Sequence, residues 1–316
     1  MDPLLIVLIC VVALAAVVSV VSYVCFYLCF YSKPRVERDP EDIGIPPGEE
    51  YEPYRSLIAD WVHEVDALDC RKVSVKTFDG ITLNGRYFEF KKGAPIELML
   101  HGYKGSSRRD LSGGVIRCRE LGHNVLIFDH RGGETSGGSV ITFGINESRD
   151  TMLWIDYILK NIDPDARIIL TGVSMGAATV MMVAAEELPR NIVGVLADCG
   201  YTSAKEIIKK VIREMKLPAD LLYPFVKLGA LLYGGFRLEE NSPIEAMKKC
   251  TLPIIFFHGD NDGFVPCEMS RKNYDACASE KKHLVYIEGA GHGLAFPADP
   301  EKYLREMREF FAYIHK

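Results

Sequence analysis

The segment Ile168-Ile169-Leu170-Thr171-Gly172-Val173-Ser174-Met175-Gly176-Ala177-Ala178 constrains this chain more than any other. A short apolar run delivers a serine between two glycines and opens at once into a helical pattern. A nucleophilic serine needs a tight turn with strained backbone angles, so that its hydroxyl stands clear of the sheet edge. Glycines two positions either side let strand and helix approach without a side-chain clash. Ser174 is therefore the candidate nucleophile. The pentapeptide alone would turn up in roughly one chain of this length in ten, so its weight depends on catalytic partners elsewhere in the chain.

Two later blocks supply such partners: His258-Gly259-Asp260-Asn261-Asp262-Gly263, after an apolar run, and Gly289-Ala290-Gly291-His292-Gly293. A serine hydroxyl needs a base to take its proton, and the base needs a carboxylate to hold its tautomer. His292 is the expected base, because a glycine-flanked loop presents an imidazole rather than packing it. His101 and His258 end apolar runs ahead of glycine, His123 precedes one, and His63, His130, His283 and His315 lack the downstream loop position. For the acid, Asp262 is chosen over Asp260, with Asp198 at the end of the preceding apolar run as a third candidate. A tetrahedral intermediate also requires backbone donors. Met175, directly after the serine, is one. Tyr103, in the loop His101-Gly102-Tyr103-Lys104-Gly105-Ser106-Ser107, is the other. That loop lacks the Gly-Lys-Ser/Thr ending of a phosphate cradle.

Apolar runs predict strands at Lys72 to Lys76, Thr82 to Phe90, Ile96 to Leu100, Asn124 to Phe128, Arg167 to Thr171, Ile192 to Ala197, Pro253 to Phe257 and His283 to Ile287. The first two straddle Asp79-Gly80, a hairpin turn. Helical patterns alternate with the later strands at Leu111 to Leu121, Glu147 to Lys160, Met175 to Leu188, Glu268 to Ala278 and Glu301 to Ile314. The expected fold is α/β, a mostly parallel eight-stranded sheet with helices on both faces. Between Asp198 and Pro253 the chain is too long for a simple connection. Ile207, Ile208, Val211, Ile212 and Met215 share one helical face, and Leu221 to Tyr233 reads as a second helix. A small helical cap at about 203–249 is expected to cover the site and shape the acyl pocket, the alternative being a helix pair packed on the sheet.

From Pro3 to Ser32 no side chain is charged, and Leu4 to Tyr31, at about 1.5 Å per residue, is long enough to cross a hydrocarbon core of about 30 Å. Residues 1–32 are read as a single-pass transmembrane anchor rather than a signal peptide, since no basic region precedes the run and no small-x-small cleavage site follows it. Lys33, Arg35 and Arg38 follow at once, which places the catalytic domain on the cytoplasmic side. Residues 33–70, with Pro40, Pro46, Pro47 and a short helix around Arg55 to Val65, read as a stalk or linker, leaving 71–316 as one catalytic domain. The net charge of −6 and the lack of a lysine-arginine run argue against nucleic acid as a partner. Of the nine cysteines, Cys10, Cys25 and Cys29 lie in the span and the other six show no paired spacing typical of a disulfide framework or zinc site.

With these residues in view, the chain resembles the α/β-hydrolase superfamily over nearly all of Arg71 to Lys316. Phe128-Asp129-His130-Arg131-Gly132-Gly133, Ile141-Thr142-Phe143-Gly144, Gly172 to Ala178 and Ala197-Asp198-Cys199-Gly200-Tyr201 are similar to membrane-anchored bacterial serine hydrolases related to serine aminopeptidase and prolyl oligopeptidase-like catalytic domains. The resemblance carries Asp262 over as the acid and His292 as the base. Glu134 departs from the family pattern, standing where a second glycine is usual. The implied activity is a metal-independent, cofactor-free serine hydrolase that cleaves carboxylic esters of small or medium acyl groups through an acyl-enzyme on Ser174. Two alternatives accompany it: an aminopeptidase or acyl-peptide hydrolase, and a non-catalytic membrane-tethered binding module on the same fold.

Overall fold

The computed structural model describes residues 2–33 and 42–315. Arg35 and Arg38, which with Lys33 carry the expected membrane orientation, and Pro40 lie outside the described residues. Eight strands, β1 (Arg71–Lys76), β2 (Thr82–Phe88), β3 (Ile96–Leu100), β4 (Asn124–Phe128), β5 (Ile168–Val173), β6 (Ile192–Asp198), β7 (Ile254–Gly259) and β8 (Lys282–Ile287), form one sheet in the order β1-β2-β4-β3-β5-β6-β7-β8. β1 pairs antiparallel with β2 and β2 with β4, and every later pairing is parallel. The hairpin feeding a parallel sheet is therefore as expected.

Alternation along the central strands assigns the two faces. Leu98, Leu100, Leu126, Phe128, Leu170, Val195 and Phe256 point into one core, while Met99, Val125 and Ile127 point into a second and Ile169, Leu196, Ile255 and Phe257 into a third on the opposite face. Burial on both faces explains why these strands read as continuous apolar runs rather than as alternating ones.

The helices are α1 (Pro3–Cys29), α2 (Arg55–Asp66), α3 (Ser107–Asp110), α4 (Ser112–Leu121), α5 (Ile145–Asn161) and α6 (Met175–Val183), then α7 (Ala204–Glu214), α8 (Ala219–Leu232), α9 (Pro243–Met247), α10 (Cys267–Ala276), α11 (Ala295–Ala298) and α12 (Pro300–Phe310). α6 is shorter than the periodicity predicts. It closes at Val183 and tightens through Ala185 N–H to Met182 O and Glu186 N–H to Val183 O. Pro189 bars the residue before it from helical angles, and the Glu186-Glu187 pair adds like charge at the negative end of the helix dipole. β5 runs on to Val173, because Gly172 and Val173 stay in register with Ala197 and Asp198 of β6, so the serine leaves the sheet with no intervening loop.

The expected stalk is corrected by the packing of residues 44–66. Trp61 of α2 stacks on Phe296 with ring centroids 5.2 Å apart, Val62 and Val65 are fully buried, and Asp66 pairs with Arg86 at 2.9 Å and Arg108 at 2.6 Å. Burying a large apolar side chain is worth about 1.5–3 kcal/mol, so α2 gains by packing on α3 and α4 rather than standing off the domain.

The insertion between β6 and β7 holds α7, α8 and α9. Ser203 caps α7 by accepting the Glu206 N–H at 3.1 Å, and Ile207, Ile208 and Ile212 of the expected face are buried, whereas Met215, just past the helix end, is exposed. With Tyr223 and Val226 of α8 they join a cluster that also contains Met175, Phe143, and Phe26 and Phe30 from the start of the chain. α1 is the one helix among the described residues long and apolar enough to cross a membrane.

Candidate active site

The sharp bend after β5 is visible in the backbone. Ser174 sits at φ 56° and ψ −116°, a region that costs a non-glycine residue about 1–3 kcal/mol. The flanking glycines are a packing necessity. A Cβ on Gly172 would lie 2.2 Å from the Gly176 carbonyl carbon, and one on Gly176 would lie 2.1 Å from the Leu100 carbonyl oxygen. The Ser174 N–H is held by the Asp198 carbonyl at 2.8 Å, which locks the bend against β6.

The structure brings Ser174, His292 and Asp262 together. His292 Nε2 lies 2.9 Å from Ser174 Oγ, and His292 Nδ1 lies 2.7 Å from Asp262 Oδ2. His292 is delivered by the loop after β8, whose opening glycine, Gly289 at φ 71°, donates its N–H to Asp260 Oδ1 at 2.7 Å. Asp262 follows β7 and is almost fully buried. Its Oδ1 accepts the N–H groups of Phe264 at 2.9 Å and Val265 at 2.8 Å. Burial by itself pushes a carboxyl up, but the hydrogen bonds from His258 and His292 outweigh it and bring Asp262 down from 3.8 to about 2.

The two other candidate acids go elsewhere. Asp260 is exposed and ties the two loops together through Gly289. Asp198 accepts the Tyr303 hydroxyl at 3.0 Å, and burial raises its pKa. Of the remaining histidines, His101 ties its own loop down: its Nε2 accepts the His130 N–H at 2.9 Å.

The loop expected to supply an oxyanion donor passes beside the serine. A Cβ on Gly102 would stand 3.5 Å from Ser174 Cβ and 3.9 Å from its Oγ. The Gly102 N–H is taken by Asp110 Oδ2 at 3.2 Å. Met175 opens α6, where an N–H has no acceptor within the helix. No hydrogen bond of the Tyr103 N–H occurs among the described residues, while the Tyr103 hydroxyl donates to the Cys29 carbonyl at 2.8 Å.

A cavity of about 230 Å³ reaches Ser174 and His292. Its apolar wall includes Met99, Leu111, Val173 and Phe296, and its outer wall is formed by Ile45, Pro46, Tyr51, Ile58 and Trp61. This corrects the expected role of the cap. Residues 203–249 contribute nothing to this lining, because α8 turns its apolar face to α1, and the segment read as a stalk covers the pocket instead. Tyr51 fastens that segment by donating its hydroxyl to the His292 carbonyl at 3.0 Å.

His258 is a participant that sequence reasoning passed over. It is fully buried, its Nδ1 accepts from the Ser270 hydroxyl at 2.6 Å, and its Nε2 lies 2.8 Å from Val265 O and 3.2 Å from Asp262 Oδ2. Its position four residues before Asp262, near the end of β7, was the available signal. Two groups bring metal-ligating atoms close together: Cys199 with Asp262 and His292, and Glu97 with Cys118 and His123. In the second, Glu97 is already engaged by Arg117 at 2.5 Å, His123 at 2.9 Å and Thr171 at 2.9 Å, which suits an ion-pair cluster.

Comparison with known proteins points the same way. Residues 231–299 match the family model described as Serine aminopeptidase, S33. An uncharacterized protein of Bacillus subtilis is 28% identical over 192 residues, 60% of this chain and 63% of its own length, so just under two thirds of that relative is spanned. An uncharacterized protein of Mycobacterium tuberculosis is 30% identical over 236 residues, 73% of each chain. An esterase of Pyrococcus furiosus superposes with a TM-score of 0.63 at 24% identity, covering 79% of this chain and 94% of that one. The strand order, the strained serine bend and these relatives together make the chain a member of the α/β-hydrolase superfamily.

Proposed function

We propose that the protein is a membrane-anchored serine hydrolase that cleaves carboxylic esters of small or medium acyl groups. The carrying observation is the unbroken contact from Asp262 through His292 to Ser174. Asp262 holds the Nδ1 proton of His292, which leaves Nε2 free to accept. Ser174 Oγ attacks the ester carbonyl as its proton passes to His292 Nε2, and the carbonyl oxygen takes the negative charge facing the N–H groups of Tyr103 and Met175. Collapse breaks the bond to the alcohol oxygen, which leaves with the His292 proton. A water, deprotonated by His292, then frees the acid from Ser174 by the same path.

A cavity of about 230 Å³ lies below the usual ligand-site range of about 300–1,000 Å³, which favours short acyl groups. The serine aminopeptidase match favours aminoacyl amides as a second reading. Aryl esters of acetate and butyrate set against aminoacyl anilides separate the two, and ester turnover surviving Ser174→Ala would sink both. Labelling of Ser174 by a fluorophosphonate distinguishes an enzyme from a binding module. The length of α1 supports the membrane anchor, and the cations after it favour a cytoplasmic domain, which protease protection in intact cells tests.

A further inference from the structure

The first half of α1 stands clear of the domain, whereas Ser22, Phe26 and Phe30 are buried against it. Tyr233, just past the end of α8, lies with its hydroxyl 2.6 Å from Ser19 Oγ and its ring edge-on to Tyr23 at 5.2 Å. One turn earlier, Gly229 lies so close to α1 that a Cβ would sit 2.3 Å from the Ser22 carbonyl oxygen and 3.1 Å from Phe26 Cβ. Later residues of α8 thus meet earlier residues of α1, and the two helices run antiparallel. The C-terminal end of α8 points along α1 toward its free apolar part.

The attitude of α1 is fixed as well. Ser32 N–H donates to Ser139 O at 2.8 Å, Ile141 N–H to Phe30 O at 2.9 Å, and the Tyr103 hydroxyl to Cys29 O. The free stretch from Leu4 to Val17 measures about 21 Å at about 1.5 Å per residue, short of a hydrocarbon core of about 30 Å. A bilayer crossed by α1 therefore extends to the level of Tyr23. At that level α8 presents Leu231, Leu232 and Tyr233, which are 50%, 57% and 37% exposed. Arg237, exposed, follows this tip, and Lys227, whose ammonium donates to Glu239 Oε2 at 2.7 Å, precedes it. Apolar side chains, an interfacial tyrosine and flanking cations are the composition of a membrane-water boundary.

We propose that the C-terminal tip of α8, Leu231-Leu232-Tyr233, is seated in the lipid bilayer that α1 crosses, so that the domain is docked on the membrane in one orientation. The inference rests on the reading of α1 as a membrane span. The test uses the full chain in phosphatidylcholine vesicles, plain or brominated in the upper acyl chain, with tryptophan introduced at exposed positions: Leu232→Trp at the tip, Val11→Trp within α1 and Leu221→Trp at the far end of α8. Bromine should quench the added emission of Leu232→Trp and Val11→Trp and leave Leu221→Trp like the parent. Quenching of Val11→Trp without Leu232→Trp overturns the docking and leaves the span standing. Quenching of neither overturns both. A blue-shifted but unquenched Leu232→Trp, with crosslinking between chains, assigns the tip to a second copy and also overturns the docking.

Discussion

Asp262→Asn isolates the electrostatic core of the proposed mechanism. The native carboxylate takes four hydrogen bonds, from the Phe264 and Val265 N–H groups on Oδ1 and from His292 and His258 on Oδ2. Asparagine can keep the first two through its carbonyl oxygen, and its NH2 then faces two ring N–H donors. His292 has to change tautomer to accept from that NH2, which puts a proton on Nε2, 2.9 Å from Ser174 Oγ, and removes the base. The equivalent change in a serine protease triad costs about 10⁴ in kcat, or about 5.4 kcal/mol at about 1.36 kcal/mol per factor of ten. The assay is steady-state hydrolysis of p-nitrophenyl butyrate, with thermal denaturation to confirm the fold. Asp260→Asn is the control, because its side chain only accepts the Gly289 N–H and should leave kcat near the parent value. A folded Asp262→Asn protein within tenfold of the parent would refute the assignment of base and acid.

Three further outcomes are expected from the packing and the charges. Arg117→Met leaves Glu97 buried without its guanidinium and should destabilise the protein by about 3–5 kcal/mol; combining it with Glu97→Leu should recover most of the loss in urea denaturation. Gly176→Ala drives a Cβ to 2.1 Å from the Leu100 carbonyl oxygen and should cost about 3 kcal/mol or more, read as a loss of soluble folded protein or a lower denaturation midpoint. Asp262, depressed from 3.8 to about 2, should contribute about 2 kcal/mol of stability above pH 4, lost as pH falls toward 2. Unfolding of the parent and Asp262→Asn across that window should converge at its acid end.

The fold and the three side chains were legible because each left a local signature. The β5 run, the glycine pair around Ser174 and the glycines around His292 answer to steric demands that only short stretches of chain can meet. The choice between Asp260 and Asp262 was harder, since both follow β7 and both suit a turn. What separates them is direction, Oδ1 of Asp260 toward Gly289 and Oδ2 of Asp262 toward His292, and direction is set by the whole loop. The covering of the pocket was misread for a different reason. Pro46, Pro47 and the carboxylates around them have a linker's composition, while Ile58, Trp61, Val62 and Val65 carry an amphipathic period too short to announce its partner. Conversely, α7 and α8 sit in the position of a cap, but the apolar surface that α8 meets belongs largely to α1, about two hundred residues away in sequence.

The hydroxyl of Tyr51 on the His292 carbonyl and the indole of Trp61 on Phe296 make this early stretch of the chain one wall of the chamber at Ser174. Trimming the polypeptide to its sheet-forming part, from residue 71 onward, would open that chamber to water on one side and strip Phe296 of its cover. Soluble versions intended for substrate profiling should therefore begin upstream of Gly44, since a shorter product would report the preferences of a breached pocket.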